Sequence, residues 1–164
     1  MPQLLQLTLT VEVLASEADL TPAEARTWQA ARAATAHSYA PYSGFHVGAA
    51  LLLANGDIFP GTNQENAAYP SGLCAERTAL FGLAASQPHA GLIVGMAVAA
   101  RPAAGAFGPA MPCGACRQVM LEYEVRQGQA IPLLLPGPKG EIYRFASVGE
   151  LLPFHFSATD LPAR

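Results

Sequence analysis

Charge is scarce in this chain: 13% of its 164 residues are Asp, Glu, Lys or Arg, and they leave a net charge of -3. A protein that grips a phosphate backbone presents a basic face, so no nucleic-acid partner is expected. Long apolar runs are missing too. No stretch reaches the roughly 18 to 20 residues that cross a bilayer, so no membrane partner is expected. The N-terminus lacks the basic segment followed by an apolar one that marks a secretion signal, which makes the cytoplasm the expected compartment. Cysteine is sparse, and its count of three is odd. A disulfide framework needs pairs and an oxidising compartment, whereas three reduced thiols fit metal binding or catalysis. Internal repeats and long linkers are absent.

What remains is an apolar chain, 51% hydrophobic, of one domain's length. Part of that apolar surplus fits burial between subunits. Residues 1–20 hold a loosely alternating stretch, Leu5 through Val11, that fits a short strand or a floppy segment, and they read as an N-terminal extension to a single domain over 21–164. Thr21-Pro22-Ala23-Glu24 is a capping box with proline at the first helical position, predicting a helix to about residue 37. Pro41 and Gly44 break the chain. An apolar strand over 45–54, the turn Asn55-Gly56 and a return strand over 57–61 make a hairpin. A helix over 73–85, a strand over 92–100, a loop rich in Ala, Gly and Pro over 101–112 and a helix over 113–124 follow. Strands over 131–135 and 141–146 and a short helix over 148–152 complete the chain. Interleaved strands and helices predict an α/β sandwich with a hairpin opening a mixed sheet.

The chemistry concentrates on the cysteines. Cys113 and Cys116 follow Pro112 at a helix start, and Cys74 stands at another. Helix N-termini favour thiolate over thiol, and three thiolates together repel one another until a divalent cation joins them; zinc suits such a set. A structural zinc takes four protein ligands, and a catalytic one takes three and leaves a place for water. The chain offers three cysteines, with His37, His46, His89 and His155 scattered away from them, so an open site is favoured over one closed by a histidine. Glu76, two residues after Cys74, would stand near the metal and move protons; alone it would be an ordinary helix glutamate.

Cys74-Ala75-Glu76 followed by Pro112-Cys113-Gly114-Ala115-Cys116 fits the three-cysteine form of the zinc deaminase pattern. Together with Tyr42-Ser43-Gly44-Phe45, Val47-Gly48-Ala49-Ala50-Leu51, Asn63-Gln64-Glu65-Asn66, Tyr69-Pro70 and Cys116-Arg117-Gln118-Val119, it resembles the small homotetrameric cytidine deaminases over roughly residues 22 to 161. The resemblance implies a three-layer α/β/α sandwich with a mixed five-stranded sheet. It implies one zinc per subunit on Cys74, Cys113 and Cys116, and hydrolysis of cytidine and deoxycytidine to uridine and deoxyuridine in pyrimidine salvage. A water activated by the metal would attack C4 while Glu76 carries the protons.

By the same resemblance Asn63 and Glu65 bind the ribose, Phe45 packs on the pyrimidine and the backbone of Ala75 meets the base. Tyr69 and Phe156 reach a neighbouring subunit's site, with Phe154 close enough to take the part of Phe156. Without the resemblance, Asn63 and Glu65 read as a turn, and Phe45, Tyr69 and Phe156 as core. Arg77, and Arg117 with it, would donate to the sulfurs and restore acidity to a metal carrying three negative ligands; either is otherwise a surface charge. Gly44, His46 and the loop over 101–111 depart from the family pattern at the pocket's edge.

Four other readings compete. A structural zinc module would need a fourth ligand. A redox pair at Cys113 and Cys116 leaves Cys74, Glu76, Asn63 and Glu65 without a role. A deaminase of blasticidin S shares fold and metal motif, and the pair Asn63 and Glu65 favours cytidine over it. An RNA- or DNA-editing deaminase is disfavoured by the acidic charge.

Overall fold

The computed structural model describes residues 2–162, and the strands alternate with three helices as the pattern predicts. The strands are β1 (Glu12–Leu14), β2 (Phe45–Leu53), β3 (Ile58–Thr62), β4 (Ile93–Pro102), β5 (Leu133–Pro136) and β6 (Ile142–Phe145). The helices are α1 (Pro22–Ala34), α2 (Ala75–Ser86) and α3 (Gly114–Gln127). One mixed sheet runs β1-β6-β5-β4-β2-β3. Among the described strands only β4 and β5 pair in parallel, across the crossover that contains α3.

The sheet has six strands where five are expected, and the extra strand comes from the segment read as an extension. β1 pairs antiparallel with β6, Glu12 opposite Arg144 and Leu14 opposite Ile142. Leu14 is buried beside Trp28 and Ile142, and Arg144 forms ion pairs with Glu12 and Glu24. The segment is held by partners far along the chain rather than by its own pattern.

Both faces of the sheet are covered, giving three layers. Successive residues of a strand point to opposite faces, so a strand covered on both reads as a continuous apolar run. Ala50, Ala97, Ala99 and Leu134 face α1, where Trp28 and Ala31 pack. Their neighbours Leu51, Met96, Val98 and Leu133 face the opposite layer, with Leu80 of α2 and Met120 of α3. In the middle of β2 and β4 the face toward α1 thus carries alanines, Ala50, Ala97 and Ala99, where the opposite face carries Leu51, Met96 and Val98. The closest approaches need glycine: a Cβ on Gly48 would lie 2.1 Å from the Ala31 carbonyl oxygen, and one on Gly61 would lie 2.4 Å from the Ala79 nitrogen. Through Gly61 the first turns of α2 sit directly on β3.

Candidate active site

Three sulfurs meet where α2 and α3 begin. Cys74 is the N-cap of α2 and Cys113 that of α3, both in extended backbone with side chains that make no capping bond. Cys116 is buried in the first turn of α3. Cys74 Sγ lies 3.8 Å from Cys113 Sγ, Cys113 Sγ lies 3.5 Å from Cys116 Sγ, and all three lie within 4.8 Å of one another. Tetrahedral zinc with bonds of about 2.3 Å holds its sulfurs about 3.8 Å apart, so the donor set fits the ion. Among the described residues no fourth His, Cys, Asp or Glu joins the cluster. His46 Nδ1 instead meets Ser38 Oγ, at 2.5 Å, and His155 Nδ1 meets the Leu152 carbonyl.

The thiols are electrostatically linked. Hydrogen bonding from Cys116, and then from Arg77 and Cys113, brings Cys74 down to about 5 against the cost of burial. Cys116 is pushed up by the same bond to Cys74 and by burial. The two directions are opposed because one bond links the pair, and a divalent cation would take the place of the proton in that bond. Arg77 Nη2 lies 3.7 Å from Cys74 Sγ and 3.5 Å from the Gly72 carbonyl oxygen. Glu76, in the first turn of α2, is 4% exposed. Burial raises the pKa of its carboxyl first, and the charge of Cys74 adds to the rise.

The opposite wall is built from backbone pairing. Residues 63–65 run extended between two chain segments: the Asn63 carbonyl accepts from the Tyr39 N–H at 3.0 Å, and Gln64 exchanges both backbone bonds with Leu73. Asn63 then spans to β2, accepting at Oδ1 from the Val47 N–H and donating through Nδ2 to the Phe45 carbonyl, each at 2.8 Å. Glu65 is clamped by the turn before β2. Its carboxylate accepts from the Tyr42 and Ser43 N–H groups at 2.9 and 3.2 Å and from Ser43 Oγ at 2.5 Å. The Ser43 hydroxyl, followed by the Tyr42 N–H, holds this carboxyl below the usual carboxylate range. Between the two walls lies a cavity of about 810 Å³, lined by Phe45, Asn63, Glu65, Ala75, Glu76 and Cys113 among others.

The model of the "Cytidine and deoxycytidylate deaminase zinc-binding region" matches residues 23–130. The chain belongs to this deaminase family. It is 43% identical over 124 residues to a cytidine deaminase of Sporosarcina psychrophila, covering 76% of this chain and 84% of that one. It is 44% identical over 124 residues to a cytidine deaminase of Halalkalibacterium halodurans, covering 76% and 86%. The crystal structure of cytidine deaminase from Burkholderia pseudomallei superposes with a TM-score of 0.68 at 42% identity, covering 80% of this chain and 97% of that one.

Within this member of the deaminase family, the fold gathers most of the residues singled out by sequence. Cys74, Glu76, Arg77, Cys113, Phe45, Asn63, Glu65, Ala75 and Tyr69 all border the cavity. Tyr69 stands on its rim, 76% exposed, its ring edge-on to Tyr42 at 6.1 Å between centroids. Arg117 takes other partners than the sulfurs. Its Nε donates to the Pro112 carbonyl at 3.0 Å and its Nη1 to the Leu151 carbonyl at 3.2 Å, bracing the loop before α3 against the C-terminal segment. Phe156 is not part of the cavity wall: it is 58% exposed, and its carbonyl accepts from Gln118 Nε2. Sequence reasoning does not reach the clamp of Tyr42 and Ser43 on Glu65, nor Val47, Leu73 and Met111 in the wall. The motif Tyr42-Ser43-Gly44 is the signal for the first: a short hydroxyl before a glycine that turns at φ 63°.

Proposed function

We propose that this chain is a zinc-dependent hydrolase that deaminates cytidine and deoxycytidine to uridine and deoxyuridine in pyrimidine salvage. One observation carries the reading: a single cavity has Cys74, Cys113 and the buried Glu76 at one wall, with Cys116 buried against Cys113 behind it, and the amide and carboxylate of Asn63 and Glu65 at the other. The likeness to proteins named cytidine deaminase supports it.

Cys74, Cys113 and Cys116 would hold one zinc per subunit. Bound there, zinc supplies Lewis acidity that brings the pKa of a water toward neutrality. Glu76 would take a proton from a water and pass it to ring N3 as the water oxygen adds to C4. It then takes the proton of the new C4 hydroxyl and gives it to the amino nitrogen, so that the C–N bond breaks, C4 becomes a carbonyl and ammonia leaves. Its raised pKa suits a group that must both take and return a proton. Phe45 packs on the pyrimidine, and the backbone of Ala75, at the start of α2, meets its polar edge. Asn63, already pinned to β2, and Glu65, already ionised and clamped, hold the ribose hydroxyls without needing to reorganise. Arg77 draws charge from the Cys74 sulfur.

The working form we assign is a cytoplasmic homotetramer built on a catalytic domain of residues 21–164, with Tyr69 and Phe156 reaching neighbouring sites. The exposure of Tyr69, Phe154 and Phe156 supports an apolar interface. Among the described residues no helix is long and apolar enough to cross a membrane. The test is to load the protein with zinc, count the metal, and follow the ultraviolet absorbance of cytidine and deoxycytidine with ammonia release. Zinc bound at full occupancy without turnover of either nucleoside would overturn the reading and leave a structural metal module.

A further inference from the structure

The two walls of the cavity belong to different elements, and one hydroxyl joins them in addition to the backbone pair of Gln64 and Leu73. Thr78 Oγ1 accepts from the Thr62 N–H at 2.9 Å and lies 2.7 Å from the Thr62 carbonyl oxygen. It also lies 2.8 Å from the carbonyl oxygen of Ala75. Thr62 ends β3 and directly precedes Asn63; Ala75 opens α2 between Cys74 and Glu76.

The arrangement is unlike that of a threonine spending its hydroxyl within its own helix. Thr27 in α1 does the latter, donating to the Ala23 carbonyl four residues back. β3 is the edge strand of the sheet, so the outward N–H and C=O of Thr62 have no neighbouring strand. Thr78 meets both of them, replacing a strand with one side chain. Gly61 makes the approach possible, since a Cβ there would lie 2.6 Å from the Ala75 carbonyl oxygen. The peptide before Asn63 and the first turn of α2 therefore both meet one oxygen, on the far side of Asn63 from the Gln64–Leu73 pair.

We propose that Thr78 is a positioning residue that sets the spacing between the metal-holding turn of α2 and the sugar-binding segment of residues 63–65. A nucleoside held by its ribose then presents its base at Glu76. The inference rests on the proposed ribose role of Asn63. Misplacement of a reacting group by about 1 Å can slow a reaction roughly a hundredfold.

The test uses zinc-loaded, full-length protein carrying Thr78→Val, Thr78→Ala or Thr78→Ser, each alone and with Asn63→Ala. The expected result for Thr78→Val is full zinc occupancy with kcat/KM for cytidine lowered roughly tenfold or more, since two part-buried backbone groups lose their partner. Thr78→Ser keeps the hydroxyl and should stay within about threefold of the parent. In the Asn63→Ala background the loss from Thr78→Val should shrink to about twofold, because the two residues act through one segment. Equal losses in both backgrounds, with Asn63→Ala itself impaired, would reduce Thr78 to a purely structural residue and overturn this inference alone. An Asn63→Ala protein with unchanged KM would overturn the ribose reading and this inference with it. Should Thr78→Val fail to fold, Thr78→Ala replaces it in the cycle. A serine variant as impaired as the alanine variant would also overturn the assignment.

Discussion

Arg77 holds Nη2 at 3.7 Å from the sulfur of Cys74, its neighbour one helical turn back. Three thiolates would leave a divalent zinc with net negative charge, and a guanidinium on one sulfur withdraws part of it. Arg77→Gln is therefore expected to keep zinc while lowering kcat roughly 10- to 100-fold, the range typical of lost ligand support. Metal analysis beside steady-state kinetics checks this, and an unchanged kcat would count against the role.

Glu76 is the only carboxylate proposed to move protons. Glu76→Gln preserves size and hydrogen bonding but cannot accept a proton. We expect zinc content and folding to match the parent, with turnover reduced roughly a hundred- to ten-thousandfold. Wild-type rates in that variant would end the proton-shuttle mechanism.

Glu65 gives the pH dependence. Its carboxyl is held below the usual range by Ser43 and Tyr42, so the ionised form persists as pH falls through the ordinary carboxylate pKa of about 4.3. A depressed folded pKa means that the clamp's contribution is present above the unfolded pKa and is lost as pH falls through the folded one. KM for cytidine is expected to stay level until that lower pH. Ser43→Ala, which removes the shortest of the contacts, should make KM begin to rise at a higher pH. Matching KM profiles in the two proteins would show that the clamp does not govern the sugar contact.

Gly61 lets α2 rest on β3 with no side chain between them. Gly61→Ala must push the helix outward, and overpacking of this kind costs about 1–3 kcal/mol. Thermal unfolding should show the loss, and zinc affinity should fall with it because Cys74 begins the displaced helix. A variant with parental melting temperature and zinc affinity would mean that the contact yields freely.

Quaternary structure supplies a further check. Activity should track the assembled form in sedimentation experiments across a dilution series, and Tyr69→Ala should lower it. A fully active isolated monomer would remove the cross-subunit roles of Tyr69 and Phe156.

Much of this site is legible in one dimension. Cys74, Glu76, Cys113 and Cys116 stand at helix starts, and a helix start is a local signal: a break in the pattern, a proline, then a few residues at short spacing. The hairpin of β2 and β3 is readable for the same reason, through Asn55-Gly56 between apolar runs. The capping box at Thr21 and Glu24 forms as its four-residue motif predicts, each residue's side chain meeting the other's N–H.

What only the tertiary structure decides is which distant groups meet. β1 is a strand because Ile142, Tyr143 and Arg144 offer it an edge, a partnership that its own residues do not announce. Arg117 follows a cysteine yet braces Leu151, because the direction of a long side chain is set by packing rather than by sequence neighbours. Glu65 gains its clamp from Ser43, and Thr78 finds Thr62, across the fold. Local spacing therefore determines the cysteine set and the glutamate beside it. The sheet edge, the glycine contacts and the long-range hydrogen bonds decide how far those groups stand from the cavity's opposite wall, since that distance exists only once the layers pack.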